Sequence, residues 1–107
     1  MENIRDPLRY LSKALDIFYA FRENGISIES SIVLMNLYDE SLQHQELMEK
    51  TKIESPGEFM LVITDLKIKG YVENSKTDRF SITQKGKTLV EEVLKETRYI
   101  IENGKKI

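Results

Sequence analysis

Apolar residues in the first quarter of the chain recur at three- and four-residue intervals, with Leu8, Leu11, Leu15 and Phe18 forming one stripe and Tyr10, Ala14, Ile17 and Phe21 another beside it. That spacing predicts a helix ending near Glu23. Asp6-Pro7 suits its start, because Asp can accept from the first free N–H groups and Pro lacks an N–H that the first turn would leave unpaired. Asn24-Gly25 suits its end, since Gly adopts the left-handed conformation of a helix cap without a Cβ clash. From Ile28 to Tyr38 the apolar positions lie nearly all round the helical wheel, which predicts a central helix capped by Ser27 and buried on most sides. A short third helix, Leu42 to Lys50, would turn Leu47 and Met48 inward before the turn Thr51-Lys52-Ile53-Glu54.

Ser55-Pro56-Gly57-Glu58 combines an N-cap Ser, Pro at the first helical position and Glu at the third, the pattern of a capping box. The helix it opens should run to about Lys69 and stop at Gly70. Tyr71-Val72-Glu73 and Arg79 to Thr83 alternate apolar and polar residues on either side of a polar turn, and so predict a hairpin. The last helix, Lys85 to Asn103, carries Val90, Val93, Thr97 and Ile100 at heptad-like spacing.

Composition narrows what this pattern can be. A chain of 107 residues holds one domain, here expected as a single unit over 1–107: an N-terminal helix in 1–25, a middle module in 27–83 and a C-terminal helix in 84–107. There is no Cys, so disulfides, thiolate metal sites and a Cys nucleophile are excluded. The longest apolar runs, Ile32 to Met35 and Phe59 to Ile63, are far short of the ~20 residues of a membrane helix, and residues 1–6 lack a signal-peptide pattern. A cytoplasmic protein that does not engage membranes is expected. No P-loop, dinucleotide fingerprint or Ser/His/Asp set is recognisable, so the expectation is a non-enzyme with no cofactor.

The net charge of −2 argues against indiscriminate nucleic-acid binding. Charge is unevenly spread, however: residues 1–49 hold four basic and nine acidic side chains, whereas residues 50–87 hold eight and five. A polyanion would meet the middle third.

Helix, helix, short helix, turn, capped helix, glycine, hairpin, helix is the plan of a winged helix-turn-helix, mainly α with a small β-hairpin wing. The segments Leu66-Lys67-Ile68-Lys69-Gly70-Tyr71-Val72 and Ile82-Thr83-Gln84-Lys85-Gly86 resemble the exit of the recognition helix and the start of the final helix in the MarR-like family of bacterial regulators. The resemblance covers roughly residues 27–94. It implies a homodimer on double-stranded DNA, with the helix at about 56–69 in the major groove and the wing at 71–83 on flanking backbone or minor groove. Such proteins often bind small aromatic effectors, for which Tyr10, Phe18, Tyr19 and Phe21 could line a pocket beside the first helix, but aromatics at helical spacing on a terminal helix are more often core or dimer packing, and that is the expectation here. The chain departs from the family pattern in its turn, which has Lys52 where a Gly is usual and is one residue longer, and in its short wing.

Helical geometry places Phe59, Val62, Ile63 and Leu66 on the core side of the capped helix, with Gly57, Leu61, Thr64 and Ile68 pointing away. Candidate DNA-contacting residues are Ser55, Gly57, Glu58, Met60, Leu61, Thr64 and Lys67 on this helix, Lys50 and Lys52 before it, and Lys76 and Arg79 in the wing. Thr64 can hydrogen-bond, and Met60 or Leu61 can touch thymine methyls, but no Arg is present for guanine. Lys69, Lys85 and Lys87 extend the set of phosphate-contact candidates. The apolar Met60, Leu61, Ile68 face also suits a protein partner, which makes a winged-helix protein-interaction module the alternative. Leu8, Leu11, Leu15 and Phe18 with Val90, Val93, Thr97 and Ile100 are the candidate dimer interface, because the apolar faces of the two terminal helices exceed the needs of one small core. His44, the sole histidine, is expected to cap the short helix or touch a phosphate; without Cys or a second His it completes no metal site.

Overall fold

Among the described residues, five helices and a three-stranded antiparallel sheet follow in the order α1 (Arg5–Glu23), α2 (Ile28–Leu37), β1 (Leu42–Gln43), α3 (His44–Thr51), α4 (Pro56–Ile68), β2 (Val72–Asn74), β3 (Arg79–Ile82) and α5 (Gln84–Glu102). The computed structural model describes residues 5–75 and 78–102, and side chains within 9–75 and 78–97.

The α1 helix begins at Arg5 rather than after Asp6, so Pro7 lies inside its first turn. No penalty attaches to that position, because the opening N–H groups of a helix lack intrahelical partners. At its other end Ile26 N donates to Phe21 O at 3.0 Å and Gly25 N to Arg22 O at 2.9 Å. With Gly25 at φ +79° this is a Schellman closure. The same motif ends α4: Tyr71 N donates to Leu66 O and Gly70 N to Lys67 O, both at 3.0 Å, around Gly70 at φ +83°.

The α2 helix is the hub expected from its all-round apolar sequence: Val33, Leu34 and Leu37 are buried, with Ser27 Oγ accepting from Ser30 N at its start. Around it gather Phe21 and Ile26, Leu47 of α3, Phe59, Ile63 and Leu66 of α4, Val72 and Phe80 of the sheet, and Leu89, Val90 and Val93 of α5.

Leu42 and Gln43, expected as the first turn of a helix, form β1 instead and pair with Phe80 and Arg79. The hairpin expected at the wing is therefore the larger part of a sheet ordered β1-β3-β2, with Val72 opposite Ile82 and Asn74 opposite Phe80 in the other ladder. Pairing aims Leu42 and Phe80 into the core, both buried, and sets α3 directly behind β1.

Candidate nucleic-acid interface

The α4 helix starts where local chemistry dictates. Ser55 Oγ accepts from Glu58 N at 3.2 Å and Pro56 occupies the first turn. Phe59, Ile63 and Leu66 are fully buried, which turns the opposite side outward. Gly57, Glu58, Met60, Leu61, Thr64, Lys67 and Ile68 are all exposed there. Leu61 and Ile68, 73% and 78% exposed, are the two most exposed large hydrophobic residues among those described.

Flanking cations are already partly engaged. Lys50 lies 3.8 Å from Glu40, and Lys52 is exposed at the C-cap of α3 in the left-handed region, φ 62°. The family-like glycine position is thus filled by a lysine in a glycine conformation. Arg79 donates to Ser41 O at 3.0 Å and sits 3.9 Å from Glu46, so it links the wing to the β1–α3 junction. The ammonium of Lys67 lies 5.4 Å from the centre of the Phe80 ring. Lys69 pairs with Asp65 at 2.9 Å and donates to Gly25 O at 3.0 Å. Lys85 donates to Lys69 O at 2.9 Å and covers the Tyr71 ring. These last two fasten the exit of α4 to its neighbours. Lys76 lies outside the described residues.

His44 is half-buried rather than a surface cap: its ring packs on Phe59 at 4.8 Å and near Phe80 at 6.1 Å. Pairing of β1 with β3 brings this first residue of α3 against the wing, a placement that residues near His44 in sequence do not signal. The cap of α3 is provided by Glu46, whose carboxylate accepts from Gln43 N at 3.0 Å.

The terminal helices divide their apolar residues differently from the expected interface. Val90, Val93 and Thr97 are buried within the chain itself, so that stripe of α5 belongs to its own core. Phe18 is half-buried, whereas Leu11 and Leu15 of α1 and Leu94 of α5 are exposed. The side chains of Leu8 and Ile100 lie outside those described.

The four aromatics of α1 do not share one environment. Phe21 is fully buried in the core, while Tyr10 and Tyr19 are 71% and 57% exposed. A groove of about 560 Å³ does run between α1 and α5, lined by the carboxylates of Asp16, Glu23, Glu92 and Glu96, by Lys95, Asn24 and Ala20, and by only Tyr19 of the four aromatics. Among the described residues no group of three or more His, Asp or Glu is placed to hold a metal ion, and no helix is long and apolar enough to cross a membrane.

No protein-family model matches the chain, and no curated protein matches it. Solved structures do. A transcriptional regulator of Thermotoga maritima superposes with a TM-score of 0.78 at 20% identity, over 92% of this chain and 75% of that one. The YusO protein of Bacillus subtilis gives 0.71 at 23% identity, over 94% and 77%. A MarR transcriptional regulator of Methanosarcina mazei gives 0.65 at 26% identity, over 94% and 78%. With the capped α4 exposed on one side, the wing beside it and long helices at both ends, the chain has a MarR-like winged helix-turn-helix fold.

Proposed function

We infer that the chain is a DNA-binding transcriptional regulator that acts as a homodimer. The observation that carries this reading is the outward face of α4, exposed along its length between the end of α3 with Lys50 and Lys52 and a wing bearing Arg79. Its MarR-like structural neighbours are themselves described as transcriptional regulators, which supports the same conclusion. A single helix of this kind fits the major groove, with the first helix-turn-helix element and the wing on the phosphates beside it.

Ser55, Gly57, Glu58, Met60, Leu61 and Thr64 would face base edges, while Lys50, Lys52, Lys67, Lys76 and Arg79 would meet phosphates. Two copies joined through the terminal helices would present two α4 helices about 34 Å apart, which calls for a pseudo-palindromic operator.

Gel-shift titration against genomic fragments over a range of salt tests the assignment. Lys52→Ala and Arg79→Ala should each weaken binding to all sequences and lower the slope of log affinity against log salt by about one contact. An unchanged slope for both variants would remove the turn and the wing from the DNA.

A further inference from the structure

The composition of the α4 face goes further than locating it. Each base pair shows the major groove a fixed set of groups: guanine offers two acceptors, adenine an acceptor and a donor, cytosine a donor, and thymine an acceptor and a 5-methyl group. Matching side chains are Arg or Lys for guanine, Asn or Gln for adenine and an apolar group for the thymine methyl. The exposed face of α4 has no Arg, Asn or Gln. Its one outward cation, Lys67, is drawn to the Phe80 ring at 5.4 Å. What remains at the centre is Leu61, 73% exposed, beside Met60 at 39% and the exposed Thr64, with Gly57 one turn earlier and adding no bulk. The carboxylate of Glu58, exposed on the same side, would repel the O6 and N7 acceptors of guanine.

Resting on the regulator reading above, we propose that α4 selects its operator through the 5-methyl groups of pyrimidines, with Leu61 as the principal specificity-determining residue and Met60 and Thr64 beside it. The occupant of this apolar ridge is thus duplex DNA. Leu61 rises from a convex helix surface between Glu58 and Thr64, with the exposed Ile68 two turns further on, and stands in the stretch of chain with eight basic and five acidic residues. That setting complements a polyanion carrying isolated methyl groups. By the same chemistry 5-methylcytosine would be accepted where cytosine is not.

The test begins with an operator selected from a random duplex library by the unmodified protein. Each thymine is then replaced singly by deoxyuridine, which keeps every hydrogen-bonding group and removes only the methyl. At one or two positions in each half-site, affinity should fall about three- to fivefold, the size expected for one buried carbon group. At those positions 5-methylcytosine paired with guanine should bind more tightly than cytosine paired with guanine. Leu61→Ala should bind the thymine and deoxyuridine operators equally, Leu61→Met should restore the difference, and the salt slope should stay constant throughout. Circular dichroism should show both variants folded, as the exposure of Leu61 requires. If a motif is enriched yet every deoxyuridine substitution is neutral, methyl readout is overturned and the regulator stands. If no duplex is enriched, the regulator reading falls with it, and the ridge is left as a protein-docking face.

Discussion

Gly86 shows how much one hydrogen atom in place of a methyl can decide. A Cβ built there would lie 2.5 Å from Tyr71 O and 2.7 Å from Ile82 Cγ1, and neither the backbone carbonyl nor the packed side chain has room to retreat. Gly86→Ala should therefore cost about 2–3 kcal/mol, read as a lower urea midpoint. Lys52 presents the reverse case. Its left-handed φ of 62° strains a residue with a Cβ by about 1–2 kcal/mol, of which glycine's extra chain entropy offsets part. Lys52→Gly should raise stability by about 0.5–1 kcal/mol, even as it removes a cation from the proposed DNA face. Tyr38 donates its hydroxyl to a Glu91 carboxylate oxygen, and that bond, with some desolvation, raises the phenol above its usual 10.0. The tie between α2 and α5 is then fully present below pH 10 and lost as alkali ionises the phenol.

Among the elements, those closed by local chemistry were legible from the sequence and those closed by distant partners were not. Ser55-Pro56 starts α4, and Gly25 and Gly70 end their helices, because capping involves only residues within one or two turns. The outward face of α4 followed from periodicity alone, and Leu61, Thr64 and Ile68 are exposed as expected. The β1 strand was not legible: it is two residues long, and its partner Phe80 is 38 positions away from Leu42. His44 stacking on Phe59 was hidden for the same reason. Periodicity likewise identified an apolar face on α5 without saying which surface covers it, and for Val90, Val93 and Thr97 the cover is the chain's own core. Thr83 joins two elements whose motifs lie apart in sequence. Its hydroxyl donates to Gly70 O at 2.7 Å and accepts from Gly86 N at 3.0 Å. Thr83→Val keeps the shape and loses both bonds, so unfolding should become easier by about 2 kcal/mol, with Thr83→Ser recovering most of it.

For the whole molecule, the division of apolar surface separates what folds one chain from what would join two. Leu11 and Leu15, 58% and 42% exposed on α1, and Leu94, 41% exposed on α5, are available to a second copy; Val93 is not. Sedimentation of the unmodified chain at micromolar concentration should give a dimer. Leu15→Glu should shift it toward folded monomer, since a charge there would be buried unpaired only in the dimer. Val93→Glu should instead unfold the chain, at a cost of several kcal/mol, because the charge enters the core of each copy. A folded Val93→Glu monomer would return that stripe to the interface.

The knot of bonds at Gly70, Tyr71 and Thr83 also makes α4 and α5 the two arms of a bent lever. Being 19 residues long, α5 spans about 28 Å, so a tilt of about 5° displaces its far end by about 2–3 Å. In a dimer held through that arm, the spacing between operator half-sites would be gauged at an elbow that touches no DNA. The stiffness of one threonine joint would thus set how much variation in spacing the protein tolerates.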